Sequence, residues 1–247
     1  MKNFFVGLLA VCAIGMAYIS WRSIQDDEDA QAAVDHRANA VKARLKQIAV
    51  IEEEYKKQNA EQYYCEDLDS LIDFVNNGKL PVVLEEGVLT EKQMDDGWTD
   101  ETAAALVHSG NMDAIRAAGL ENFRRDTTWI SIADSLRKYK DGDKLIFGPD
   151  FDFSKIKFIP YSGEEHTADG SVPFDMQVFP DQTRSGSFIC TMEARAPYTE
   201  FLSGISAAGD RKLKYELEKA EARGNYEGLK IGGIGNDNWN NNAGNWD

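Results

Sequence analysis

Residues Phe4 to Trp21 read FFVGLLAVCAIGMAYISW, eighteen in a row without a charge. At 1.5 Å per residue a helix of that length spans roughly 27 Å, enough for a bilayer core. No other feature constrains the chain as tightly, because an uncharged run of this length is insoluble unless lipid or protein covers it. Lys2 precedes the run, while Arg22 and the acidic cluster Asp26, Asp27, Glu28 and Asp29 follow it. A short N-terminal stub ahead of a large body predicts export, with the body outside the cytoplasm. Tyr18 and Trp21 suit an interfacial anchor. Two further readings share these residues. Gly15-Met16-Ala17 fits the small-x-small cleavage site of a signal peptide, which would release an exported soluble protein. Cys12 would be the acylated residue of a lipoprotein.

After the anchor the helical pattern continues. Val34, Ala38, Val41, Leu45, Ile48, Ile51 or Glu52, and Tyr55 recur at steps of three and four, with charged residues on the other faces. The spacing predicts one helix from the membrane to about Gln62, its stripe seated on the chain's own body or on a partner helix. Between residues 63 and 122 the sequence reads as small helices. Leu68, Leu71, Ile72 and Val75 have helical spacing, Thr90 and Gln93 form a capping box, Asn111 is a cap, and Gly78 and Gly119 are stops. Beyond residue 123 the pattern turns to strands: 126–132, 156–161, 174–179 and 188–194, then a helix over 210–223 ending at Gly224, and a last strand at 229–231. The expected fold is therefore α+β, with a membrane anchor (1–22), an amphipathic stalk (23–62), a small helical region (63–122), an α+β body with a mainly antiparallel sheet (123–231) and an Asn/Gly/Trp tail (232–247).

The segment Glu52-Glu53-Glu54-Tyr55, followed by Tyr63-Tyr64-Cys65-Glu66-Asp67-Leu68-Asp69-Ser70-Leu71, sits behind the membrane run. This layout, over roughly the first 80 residues, resembles type IV pilins and type II secretion pseudopilins. The resemblance implies a long N-terminal helix on an antiparallel sheet and assembly through membrane helices. That family's processing site has a Gly before the cut and a Glu soon after it; here Gly7 and Gly15 occur, and no acidic residue precedes Asp26. The whole chain, through Asn240-Asn241-Asn242-Ala243-Gly244-Asn245-Trp246, also looks like single-pass envelope proteins of Gram-negative bacteria. That likeness implies the inner membrane, with the body in the periplasm, and no particular activity.

Charge and motifs bound the chemistry. With 42 Asp+Glu against 27 Lys+Arg the net charge is −15, which disfavours nucleic acid and anionic lipid as main partners. His36, His108 and His166 stand far apart and outside any zinc spacing. Gly232-Gly233-Ile234-Gly235 lacks the strand–helix setting of a phosphate loop. The string Asp150-Phe151-Asp152-Phe153 reads as a turn rather than a cation loop. No catalytic, cofactor-binding or metal-ligating residue is expected, and the chain is read as no enzyme. Cys65 and Cys190 are the two thiols of the exported part, either disulfide-bonded or singly buried. Trp239 and Trp246 in the tail, and Arg124 and Arg125 at a strand start, are the candidate docking residues. The expected partners are other envelope proteins, or a second copy through the N-terminal helix, with residues 4–21 in the membrane. The alternative is a periplasmic module that binds a ligand or peptide.

Overall fold

The computed structural model describes residues 2–182, 186, 188–233 and 243–246, without the side chains of residues 2–6, 8, 10 and 181. In chain order the elements are α1 (Lys2–Gln58), α2 (Leu68–Asn77), β1 (Lys79–Glu86), α3 (Glu91–Asp95), α4 (Asp100–His108), α5 (Met112–Ala117), β2 (Arg124–Ser131), α6 (Ile132–Arg137), β3 (Lys140–Asp141), β4 (Lys144–Leu145), β5 (Asp175–Gln182), β6 (Phe188–Pro197), α7 (Tyr198–Phe201), α8 (Ala207–Arg223) and β7 (Gly228–Gly232). The architecture is α+β: a long N-terminal helix, small helices and antiparallel sheets. The chain divides into two compact units, residues 1–74 with 137–247, and the inserted residues 75–136.

In the first unit α1 supplies one wall of the core. Ala30, Val34, Val41, Leu45, Ile48, Ala49 and Ile51 are buried along it, against β6, β7 and α8. Its polar faces are used as well: Arg37 donates to the carbonyls of Phe201 and Ser203, and Gln47 to that of Ile146. The described side chains from residue 7 through 29 are all exposed, Leu9, Val11, Ile14, Met16, Ile19 and Trp21 among them. Among the described residues no helix is long and apolar enough to cross a membrane. Part of the Phe4–Trp21 run falls outside that description. α1 ends at Gln58, four residues short of the expected Gln62. The chain turns at Asn59, and Gln62 adopts a left-handed φ of 56°, which no helix accommodates.

The three-stranded sheet has the order β5-β6-β7, all antiparallel. β6 lies in the middle and is buried almost throughout, whereas β5 is an edge strand that tolerates Pro180. The expected strand over 156–161 is absent. Phe153–Lys155 forms a 3-10 turn, capped by the Asp152 carboxylate, and a single bridge joins Phe158 to Pro173. Ile156 and Ile159 are nonetheless buried; their spacing of three serves a buried loop rather than a pleated strand. Helix α8 starts at Ser206, whose hydroxyl accepts the Gly209 N–H, and stops at Gly224 with a φ of 64°.

In the second unit β1 and β2 form a two-stranded antiparallel ribbon with Lys79 opposite Ser131 and Glu86 opposite Arg124. The boundary drawn at residues 122/123 falls inside this unit, where the two strands pair across it. Helices α3, α4 and α5 enclose Leu89, Ala103, Ile115, Leu120 and Phe123. The Thr90–Gln93 capping box is present, and Asn111 accepts the Ala114 N–H. The ribbon leaves Val82, Val83, Leu84, Trp129 and Ile130 exposed.

Candidate functional site

The most unusual chemistry in the first unit lies where α1 gives way to the segment before α2. Glu52 follows Ile51 on the core stripe, and its side chain is fully buried. One carboxylate oxygen, Oε2, accepts the Cys65 N–H at 2.9 Å, while Oε1 has no partner. Burial pushes the Glu52 carboxyl up to about 8, against an ordinary 4.5. At neutral pH this group is therefore mostly a neutral acid held in the core.

Two thiols share its surroundings. Cys65 and Cys190 are both free and both buried. The Cys65 thiol donates to the Asp67 carbonyl at 3.1 Å, and Asp67 in turn caps α2 by accepting from the Ser70 N–H and hydroxyl. The Tyr64 N–H faces the Cys190 sulfur. One residue earlier, the Tyr63 ring meets that of Phe188 edge to face, 4.9 Å between centroids. Burial raises both thiols above their ordinary value, and Glu52, once ionised, pushes each in the same direction. Tyr64 closes the site: its hydroxyl donates to Glu53, and Lys56 lies 4.4 Å over its ring. The arrangement suits proton holding and sulfur chemistry. Among the described residues no group of His, Cys, Asp and Glu has the geometry to hold a metal ion.

The other expected residues separate. Trp246 turns back onto the first unit: Lys42 of α1 lies 5.8 Å over its ring, and Gly244 bridges to Ile231 of β7. Asn245 fixes that return by accepting the Lys230 N–H and donating to the Gly228 carbonyl. Trp239 lies outside the described residues. Arg124 is exposed beside Glu86 at 3.9 Å. Arg125 is largely covered; it donates to the Glu86 and Gly87 carbonyls, pairs with Asp100 and lies over the Phe123 ring. Its donors are thus spent mainly within its own unit, which a charge pair in the sequence does not reveal. His36 contacts the Tyr161 hydroxyl, His108 contacts Asp126, and His166 contacts the Tyr161 carbonyl. A cavity of about 430 Å³ opens between α1, α8 and the returning tail, with Lys42, Tyr198, Lys219, Arg223, Tyr226 and Trp246 on its walls.

Sequence reasoning singled out both thiols but not the buried acid near them. Glu52 alternated with Ile51 as a stripe position, and that ambiguity was its only signal. No protein-family model matches the chain, and neither a curated protein nor a solved structure matches it.

Proposed function

We propose that this chain is a membrane-anchored envelope protein, its N-terminal helix in the inner membrane and its α+β body in the periplasm, acting as a pseudopilin-like structural or assembly component through docking. The observation that supports this reading most is the character of α1. One uninterrupted helix carries exposed apolar side chains at Leu9, Val11, Ile14, Met16, Ile19 and Trp21, and then core side chains from Ala30 onward. Apolar surface of that extent needs lipid or protein cover. The ribbon supports docking in the same way, with Val82, Leu84 and Ile130 exposed on one of its faces and Val83 and Trp129 on the other.

The test is expression of the full chain in a Gram-negative host. The expected result is a membrane pellet that resists alkaline extraction, and a body digested by protease added to spheroplasts. Recovery in the alkaline supernatant, or a body protected until the membrane is lysed, would overturn the reading.

A further inference from the structure

The β1–β2 ribbon is held by backbone bonds on alternate residues. The Ile132 N–H donates to the Gly78 carbonyl, and in an antiparallel ladder such bonds recur at every second residue from there. Leu80, Val82, Leu84 and Glu86 therefore bond to β2. Lys79, Val83 and Glu85 turn their N–H groups to the outer edge, and with Pro81 they turn their carbonyls there too. Pro81 falls where its missing N–H breaks no bond to β2. Among the described residues β2 is the only strand beside β1, whereas α4 packs on β2. A strand edge with outward N–H and carbonyl groups, carrying exposed Val82, Val83 and Leu84, is a template for another strand. A two-stranded ribbon also gains stability from further strands.

We propose that this edge pairs with itself: two copies of the chain join β1 to β1, antiparallel about Val82, and their two-stranded ribbons become one four-stranded sheet. A second β1 must set outward-facing residues opposite each other. Centring the pair on Val82 puts Lys79 opposite Glu85 of the second copy, and Pro81 opposite its Val83. Pro81 has no donor to give there, yet its carbonyl accepts the Val83 N–H. Glu85 comes to lie between Arg125 of its own ribbon and Lys79 of the second copy, so the charges alternate across the row. On the opposite face Leu80 meets Leu84, and Val82 meets Val82. A register two residues away in either direction sets Lys79 opposite Val83 or Gly87 and loses both ion pairs. The Pro and Lys that guard this edge against other strands thus admit one register of its own. The pairing does not require α1 to lie in a membrane.

The experiment uses the full chain in detergent, carrying Cys12→Ser so that the exposed thiol on α1 cannot link two molecules. Across the two-fold the Val82 Cα atoms stand about 4.5 Å apart, within the span of a disulfide. Under mild oxidation Val82→Cys should give a covalent dimer linked through position 82. Val88→Cys, at a residue 88% exposed and beyond the end of β1, reports chance collision and should give far less. Charge variants in the Val82→Cys chain then test the register. Lys79→Glu alone and Glu85→Lys alone set like charges opposite each other, and each should lower the trapped dimer roughly tenfold. Mixing the two variants restores both ion pairs and should recover it, which a misfolded variant cannot do. A dimer yield no greater at position 82 than at position 88 would overturn the proposal and leave the edge to a different protein. Trapping that ignores Lys79→Glu would overturn it too, and leave association to α1. Neither failure touches the membrane reading, whose test is extraction and protease access.

Discussion

Glu52 shows how one side chain makes the stability of a fold depend on pH. Folded, its carboxyl holds a proton up to about 8; unfolded, it releases the proton near 4.5. Between those values the folded state binds more protons than the unfolded one, so stability falls as pH rises. Its contribution is most favourable below 4.5, declines through the window and is flat above 8. The full span amounts to on the order of 5 kcal/mol at most. Glu52→Gln keeps the shape and cannot ionise. In chemical denaturation the parent is expected to weaken from pH 5 to pH 8. The variant should lose much less, matching the parent within about 1 kcal/mol at pH 5 and exceeding it at pH 8. Parallel curves would show that the carboxylate escapes its burial by another route. The residue is hard to read in the sequence for a plain reason. Three consecutive glutamates, 52–54, look alike, and only the helical phase relative to Leu45 and Ile48 sends the first of them inward.

At the scale of elements, α1 holds two physical regimes. Leu45 is wholly buried whereas Ile24 is 57% exposed. Leu45→Ala should cost about 2–5 kcal/mol of unfolding free energy, since it leaves a cavity in a packed wall. Ile24→Ala should stay within about 0.5 kcal/mol. Denaturant titration of both variants checks the contrast, and equal losses would mean that the exposed stretch contributes to the folded core. Local rules made several elements legible. The stripe from Val34 to Ile51 marked α1, Thr90 with Gln93 marked α3, and Gly224 marked the end of α8. Pairing was not legible. β1 and β2 are separated by three helices, and nothing in Lys79–Glu86 names Arg124–Ser131 as its partner. The failure at 156–161 has a related cause: a buried apolar loop and a short strand present the same residue types.

For the molecule as a whole, the second unit is an insertion, and its ends meet. The Ile132 N–H donates to the Gly78 carbonyl at 3.1 Å, so the chain leaves and returns at one point. Replacing residues 79–131 by a Gly/Ser linker of about three residues should therefore leave the first unit folded. Circular dichroism of the excised protein should keep the cooperative helical transition of α1 and α8. A broad, uncooperative melt would mean that the first unit needs the insertion to fold. The uninterrupted course of α1 carries a consequence of another kind. No Gly or Pro lies between Met16 and Gln58, the residues that most often make a kink. Ala30, the first residue buried by the body, follows Trp21 by nine positions, or roughly 14 Å of helix. Under the proposed anchoring, with Trp21 at the lipid surface, α1 would be a stiff mast of fixed stand-off. The part of the first unit packed on α1 would then ride clear of the headgroups at a constant height, and any lean of the membrane segment would swing it sideways as a lever arm.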